Sequence, residues 1–286
     1  IIDNIKAQGG KVLSFKSHCG GLVAPESDDN PWHYKISWNP RNVVLAGSAG
    51  AEYKLNGALK KIEYAQLFEE INTVQVDGLN ELAFYPNRDS LSYIPIYKLH
   101  DADTFIRTTL RYPAFFNGWN AIVHAGLTNE RDTIDTVGLT YTKWSENILP
   151  FVNENNKAAL SFLGLFEETL VPANSTTSAD ILQFLMETKL AMLPHEKDMI
   201  VMLHEFEYEL NGQKKSLQSS LVVKGDNSQE TAMAKTVGLP LGIAAKLILN
   251  EELNLTGLYI PTTKTIYEPV LQELEKQGIH FVDKMP

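Results

Sequence analysis

The sequence predicts an α+β fold: a mixed β-sheet with a long antiparallel hairpin and surrounding helices, its two ends carrying α/β character. Three observations predict it. Met199 to Leu210 alternates apolar and polar residues, Ser216 to Val223 returns, and Asn211-Gly212 between them supplies the positive φ angles of a tight turn. Amphipathic runs at helical spacing precede this hairpin, over Asn155 to Phe166 and Ser178 to Met192, with Leu160, Leu163 and Phe166 spaced for a buried face. The N-terminal end follows a helix–glycine–strand–glycine order, as near an edge of a βαβ unit.

Taken in order, Ile1 to Gln8 reads as the end of a helix, stopped by Gly9-Gly10. Lys11 to Phe15 is then a short strand running into a loop, Ser17-His18-Cys19-Gly20-Gly21. Asn39-Pro40 opens a helix with an Asn cap and proline at the first helical position, and Val43, Val44 and Ala51 fall near one stripe of it. Leu59 to Tyr64 and Val74 to Tyr85 are extended, and Pro86-Asn87 turns the chain. Residues 101 to 149 read as helices separated by Pro113, Gly126 and Gly138. After the hairpin, Asn227 with Glu230 resembles a capping box for a helix that Gly238 ends, and Pro240 starts another. The tail reads as a strand (Gly257 to Ile260), a helix (Glu268 to Gln277) and a last strand (Ile279 to Val282). No linker rich in Ser, Pro or Gly divides the chain, so residues 17–250 are expected to form one domain, with 1–16 and 251–286 belonging to a second.

Composition narrows the function. An apolar content of 44% with 9% aromatics is that of an ordinary globular protein. The net charge of −10 argues against general nucleic-acid binding, which draws on clustered Lys and Arg, but leaves room for a local cationic pocket. One cysteine, Cys19, excludes an internal disulfide framework and points to a reducing cytoplasm. No apolar run approaches the ~18 residues of a spanning helix. The opening Ile1-Ile2-Asp3 carries no signal region, and a start inside a longer polypeptide is expected. His195-Glu196 and His204-Glu205 lack the i, i+4 histidine pair of a helical zinc site, so no metal is expected.

The residues with chemical capacity each have two readings. Cys19, followed by Gly20 and Gly21, stands where a ligand could approach backbone without a Cβ in the way, with His18 beside it as a proton carrier. The alternative is a small apolar residue beside a turn. Arg88 and Arg111 suit carboxylates, because a guanidinium donates two parallel hydrogen bonds. Each also has a structural reading: an Arg88–Asp89 network, or a cation at a helix C-terminus. Trp38 is a pocket wall or a core anchor. Val43 to Gly50 lacks the spacing of either a dinucleotide or a P-loop motif, and no G-x-S-x-G elbow occurs.

Five segments taken in order resemble the saccharopine dehydrogenase family, in particular its glutamate-forming members: Gly9 to Glu26 (GGKVLSFKSHCGGLVAPE), Asp29 to Trp38 (DNPWHYKISW), Tyr85 to Ser90 (YPNRDS), Thr109 to Tyr112 (TLRY) and Ala232 to Pro240 (AMAKTVGLP). The resemblance implies a substrate-binding and dimerisation domain inserted in a Rossmann domain, with residues 1–16 and 251–286 its flank and return. It implies NAD or NADP as cofactor, a homodimer, no nucleic-acid or membrane partner, and interconversion of saccharopine with glutamate and 2-aminoadipate 6-semialdehyde. Under it, Cys19 and His18 are catalytic candidates. Arg88, Arg111, Trp38, Tyr112, Gly20 and Gly21 are substrate-binding candidates, and Gly20 and Gly21 also face the cofactor. The fungal pattern has Tyr before the cysteine and Pro after Gly-Gly-Leu, where this chain has His18 and Val23. Related amine dehydrogenases acting on lysine or carboxynorspermidine, and a non-catalytic binding domain, are the alternatives.

Overall fold

A computed structural model describes residues 1–285. The helix α1 (Ile2–Ala7) ends at Gly9-Gly10 and feeds β1 (Lys11–Val23), a strand of 13 residues. The predicted loop at Ser17–Gly21 is therefore the middle of a strand. Glycine is tolerated there because another backbone comes close: a Cβ on Gly20 would lie 2.7 Å from both Cβ and O of Leu110.

After β1 come α2 (Pro40–Val44), β2 (Ala51–Leu55), β3 (Ala58–Ile62), β4 (Asn72–Val74), β5 (Leu82–Pro86) and the two-residue β6 (Arg88–Asp89). Asn39 caps α2 as expected, its side chain accepting from Asn42 N at 3.2 Å. Ala51 belongs to β2 rather than to that helix, since Gly47 and Gly50, both at positive φ, turn the chain first. Next are α3 (Tyr93–Ile96), β7 (Thr104–Arg111) and α4 (Pro113–His124). The helical reading of residues 101–112 is thus overturned. Thr104-Phe105-Ile106-Arg107-Thr108-Thr109-Leu110-Arg111 is rich in β-branched residues, which pack well on a pleated surface.

The chain continues through α5 (Tyr141–Trp144), α6 (Lys157–Leu163) and α7 (Ser178–Lys189) to the hairpin of β8 (Asp198–Leu210) and β9 (Gln213–Lys224). Its turn has φ of 53° at Asn211 and 74° at Gly212, as the sequence predicts. Gly238 does not end a helix. A π-helical turn over Ala234–Gly238 leads directly into α8 (Leu239–Leu249), accommodating the missing N–H of Pro240. The tail forms α9 (Lys264–Lys276) and β10 (Val282–Lys284), while Gly257 to Ile260 is not a strand.

All ten strands join one sheet, in the order β10-β9-β8-β1-β7-β2-β3, with β4 beside β5, β5 beside β7 and β6 beside β2. Pairing is mostly antiparallel, but β1 and β7 at the centre run parallel. β1 runs unbroken across residues 16 and 17, and β10 lies antiparallel to the outer strand of the hairpin. The largest core lies where α4, α6 and α7 pack with Trp32, Tyr34, Phe68 and Tyr85. Trp32 sits against Gly118 of α4, where a Cβ would be 2.6 Å from its ring, and donates its indole N–H to Ala159 O. α8 and α9 bury a smaller core of Ile243, Leu247, Val270 and Leu274. No helix among the described residues is long and apolar enough to cross a membrane.

Candidate functional site

The register of the three central strands decides which candidates meet. Cys19 in β1 pairs with Thr109 of β7 and Met202 of β8, and Ser17 pairs with Arg107 and His204. Side chains alternate across a strand, so Cys19 shares one sheet face with Arg107, Thr109 and Arg111. His18 occupies the other face.

On the first face, Arg111 dominates. Its side chain is only 3% exposed, and its guanidinium stacks on Tyr34 (5.2 Å) and Phe115 (5.4 Å). One nitrogen donates to Leu110 O at 2.8 Å, while Nε is buried with no partner among the described residues. No carboxylate lies within 4 Å of it among those residues. A buried permanent cation without a counter-ion is costly in free energy, because desolvation is not repaid by an opposite charge. The Tyr34 hydroxyl, also buried without a well-formed hydrogen bond, lies beside the Trp38 indole. Burial pushes the Tyr34 phenol above its ordinary range, opposed by the Arg111 charge. Trp38 itself is 38% exposed and lies two residues before the start of α2.

The Cys19 side chain reaches solvent on this face. Desolvation by the protein around it raises the thiol pKa, against the lowering pull of Arg111 and Arg107. At neutral pH the sulfur is held in its protonated form. Arg107, which the helical reading of residues 101–112 hid, stacks over Tyr93 at 4.1 Å. Arg88 lies one strand further out. It is exposed, starts β6 at φ of 50°, and follows Asn87, whose N–H donates to Arg107 O at 2.8 Å.

His18 and Tyr112 are not brought to this face. His18 is wholly buried on the opposite side, its Nδ1 at 2.7 Å from Thr108 Oγ1 and its Nε2 at 3.1 Å from Glu205 Oε2. That His–Glu contact helps hold the Glu205 carboxyl below its usual range. Both ring nitrogens are occupied, so the imidazole ties β1 to β7 and β8. Tyr112 packs with Leu22, Leu82 and Leu110 and donates its hydroxyl to Val23 O at 3.3 Å.

The glycines make no dinucleotide cradle. The space a Cβ on Gly20 would need is filled by Leu110, and above Gly21 stand the Met233 methyl at 3.4 Å and Ile200 at 3.6 Å. Neither opens on a glycine-rich strand-to-helix turn of the kind that seats a pyrophosphate. No cluster of three or more metal-ligating side chains occurs among the described residues.

The fold and this face define a sheet-based α+β domain with two arginine side chains, Arg107 and Arg111, on the face that carries Cys19. Comparison with known proteins then gives the family. A family model described as the saccharopine dehydrogenase C-terminal domain matches residues 1–279. The chain belongs to that family. It is 36% identical over 307 residues to the mitochondrial alpha-aminoadipic semialdehyde synthase of Mus musculus, covering 98% of this chain and 33% of the relative. It is 31% identical over 310 residues to the NADP(+), L-glutamate-forming saccharopine dehydrogenase of Saccharomyces cerevisiae, covering 99% and 69%. The apo structure of the saccharopine dehydrogenase (L-Glu forming) from that yeast superposes with a TM-score of 0.89 at 30% identity, over 100% of this chain and 69% of the other. The chain thus spans a third of the length of the mouse relative.

Proposed function

We propose that this chain is the substrate-binding part of an NAD(P)-dependent saccharopine dehydrogenase, and that the Cys19–Arg111 face seats the substrate. In the overall reaction the secondary amine of saccharopine is oxidised to an imine. The imine takes up water, and its C–N bond breaks to give glutamate and 2-aminoadipate 6-semialdehyde. A nicotinamide, held mainly outside these residues by a Rossmann domain to which residues 1–16 and 251–286 would return, would supply the oxidising power for that first step. Exposed Leu241, Leu249, Leu258 and Ile260 support such a covering contact. The cofactor is NAD or NADP, and the yeast relative carries NADP(+) in its name.

The observation that carries the reading is the buried Arg111 guanidinium without a counter-ion. A substrate carboxylate would supply the missing charge and accept from the free Nε–H, a charge-assisted bond worth ~1.5–3 kcal/mol. Trp38 and the Tyr34 hydroxyl would wall the same pocket, and Arg88 would take a second carboxylate from the outer edge. Cys19, protonated at neutral pH, would hold a proton near the reacting amine. His18 would act only by bracing β1. The working form would be a homodimer with small-molecule partners, in a compartment that keeps Cys19 reduced. By its name, the mouse relative is mitochondrial.

The test is steady-state oxidation by the full-length enzyme of saccharopine, lysine and carboxynorspermidine. Saccharopine should be preferred, with KM raised tenfold or more by Arg88→Ala or Arg111→Ala. A better rate on lysine or carboxynorspermidine, or kinetics unaltered in both variants, would reject the assignment.

A further inference from the structure

Saccharopine carries three carboxylates, and Arg88 and Arg111 would account for two. Arg107 lies four residues before Arg111 on β7, on the same sheet face. At a rise of ~3.3 Å per residue, their backbones stand about 13 Å apart. In the helix that the sequence suggested, the same pair would be neighbours at ~5–6 Å and would repel. On a strand they become two separated anchor points. Halfway between them is Thr109, and directly across from Thr109 is Cys19.

The Arg107 guanidinium is free to bind an anion. Among the described residues it donates no hydrogen bond, and no carboxylate lies within 4 Å of it. Asp89, the acid in its neighbourhood, accepts instead from Leu91 N at 2.7 Å and Ser92 N at 3.1 Å. Tyr93 holds the guanidinium plane from beneath at 4.1 Å, which limits the rotamer freedom lost on binding. Partial burial leaves the charge neither deep in the core nor free in solvent.

We infer that Arg107 is a third carboxylate-binding residue, and that Arg107 and Arg111 together form a ruler selecting a long diacid whose amine lies over Cys19. This rests on the substrate-site reading above. In extended saccharopine, ten bonds separate the two terminal carboxyl carbons, roughly 12 Å at C–C lengths of about 1.5 Å. That reach is close to the separation of the two arginine backbones, and the secondary amine falls between them. Shorter amino acids could engage one arginine or the other, but not both.

The experiment uses the full-length enzyme, as wild type and Arg107→Gln, with saccharopine and two analogues in which one or the other terminal carboxylate is a carboxamide. Wild type should lose about tenfold or more in kcat/KM on each carboxamide. Arg107→Gln should lose a similar factor on saccharopine but show no further loss on one of the two. Unaltered kinetics, or an equal loss on all three substrates, would overturn the inference. A second arm needs no turnover: straight-chain dicarboxylates of increasing length are titrated while intrinsic tryptophan fluorescence is followed. Wild type should bind the longer diacids best, and Arg107→Gln should flatten that length dependence; a length profile identical in both proteins rejects the ruler. Should wild type bind long diacids yet leave saccharopine unoxidised, the ruler stands and the dehydrogenase reading falls.

Discussion

Replacing Arg111 with methionine should separate stability from function. The guanidinium is 3% exposed, has no counter-ion among the described residues, and is held by two ring stacks and one bond to Leu110 O. Stacking contributes ~0.5–2 kcal/mol per ring, whereas burying an ion costs several kcal/mol even after relaxation. Methionine keeps the length and the contact with Tyr34 and Phe115 while removing the charge. Arg111→Met is therefore expected to be neutral or to stabilise the fold by up to about 3 kcal/mol, within the range seen when buried ions give way to apolar residues. For a domain of this size that raises Tm by ~2–4 °C per kcal/mol. Loss of one charge-assisted bond of ~1.5–3 kcal/mol should raise the KM for saccharopine roughly 10- to 150-fold. Thermal melts and steady-state kinetics on the full-length enzyme read both quantities. A variant that melts several degrees lower while keeping its KM would refute the reasoning, since the charge would then be a structural support rather than a ligand for substrate.

Cys19 should alkylate slowly at neutral pH, with a midpoint above the ordinary thiol value of 9.0, and Arg111→Met should move that midpoint higher still; an iodoacetamide rate–pH profile with a midpoint at or below 9.0 contradicts this. His204, whose pKa burial and the nearby His18 push down to about 4 from 6.5, stays neutral in the folded state while the unfolded chain takes up a proton. Stability should accordingly be full above pH 6.5 and fall by about 3 kcal/mol as pH drops towards 4, a slope that His204→Phe removes in denaturant titrations; a parallel slope in the variant would assign it elsewhere. Gly20→Ala places a Cβ 2.7 Å from Leu110 and should cost about 1–3 kcal/mol, whereas Gly21→Ala meets the ends of Met233 at 3.4 Å and Ile200 at 3.6 Å and should be tolerated. Equal melting shifts for the two would show that β1 and β7 are not held by that close approach.

The sequence by itself determined the hairpin, the Asn39 cap and the two helices read over Asn155 to Phe166 and Ser178 to Met192, which fold over Lys157–Leu163 and Ser178–Lys189, because these signals are local: a positive-φ dipeptide, a side chain bonding its own helix, an apolar stripe of period 3.6. It also singled out Cys19, His18, Arg88, Arg111, Trp38 and Tyr112 as candidates, with no means of grouping them in space. Only the tertiary structure decided that Gly20 sits within a strand against Leu110, and that Thr104–Arg111 is a strand beside β1. Both depend on a partner some ninety residues away, which no local window contains. The same pairing separated His18 from Cys19, adjacent in sequence but on opposite faces of the sheet, and brought Arg107 onto the face of Arg111. A strand's period of two assigns each side chain to a face only once the strand itself is known.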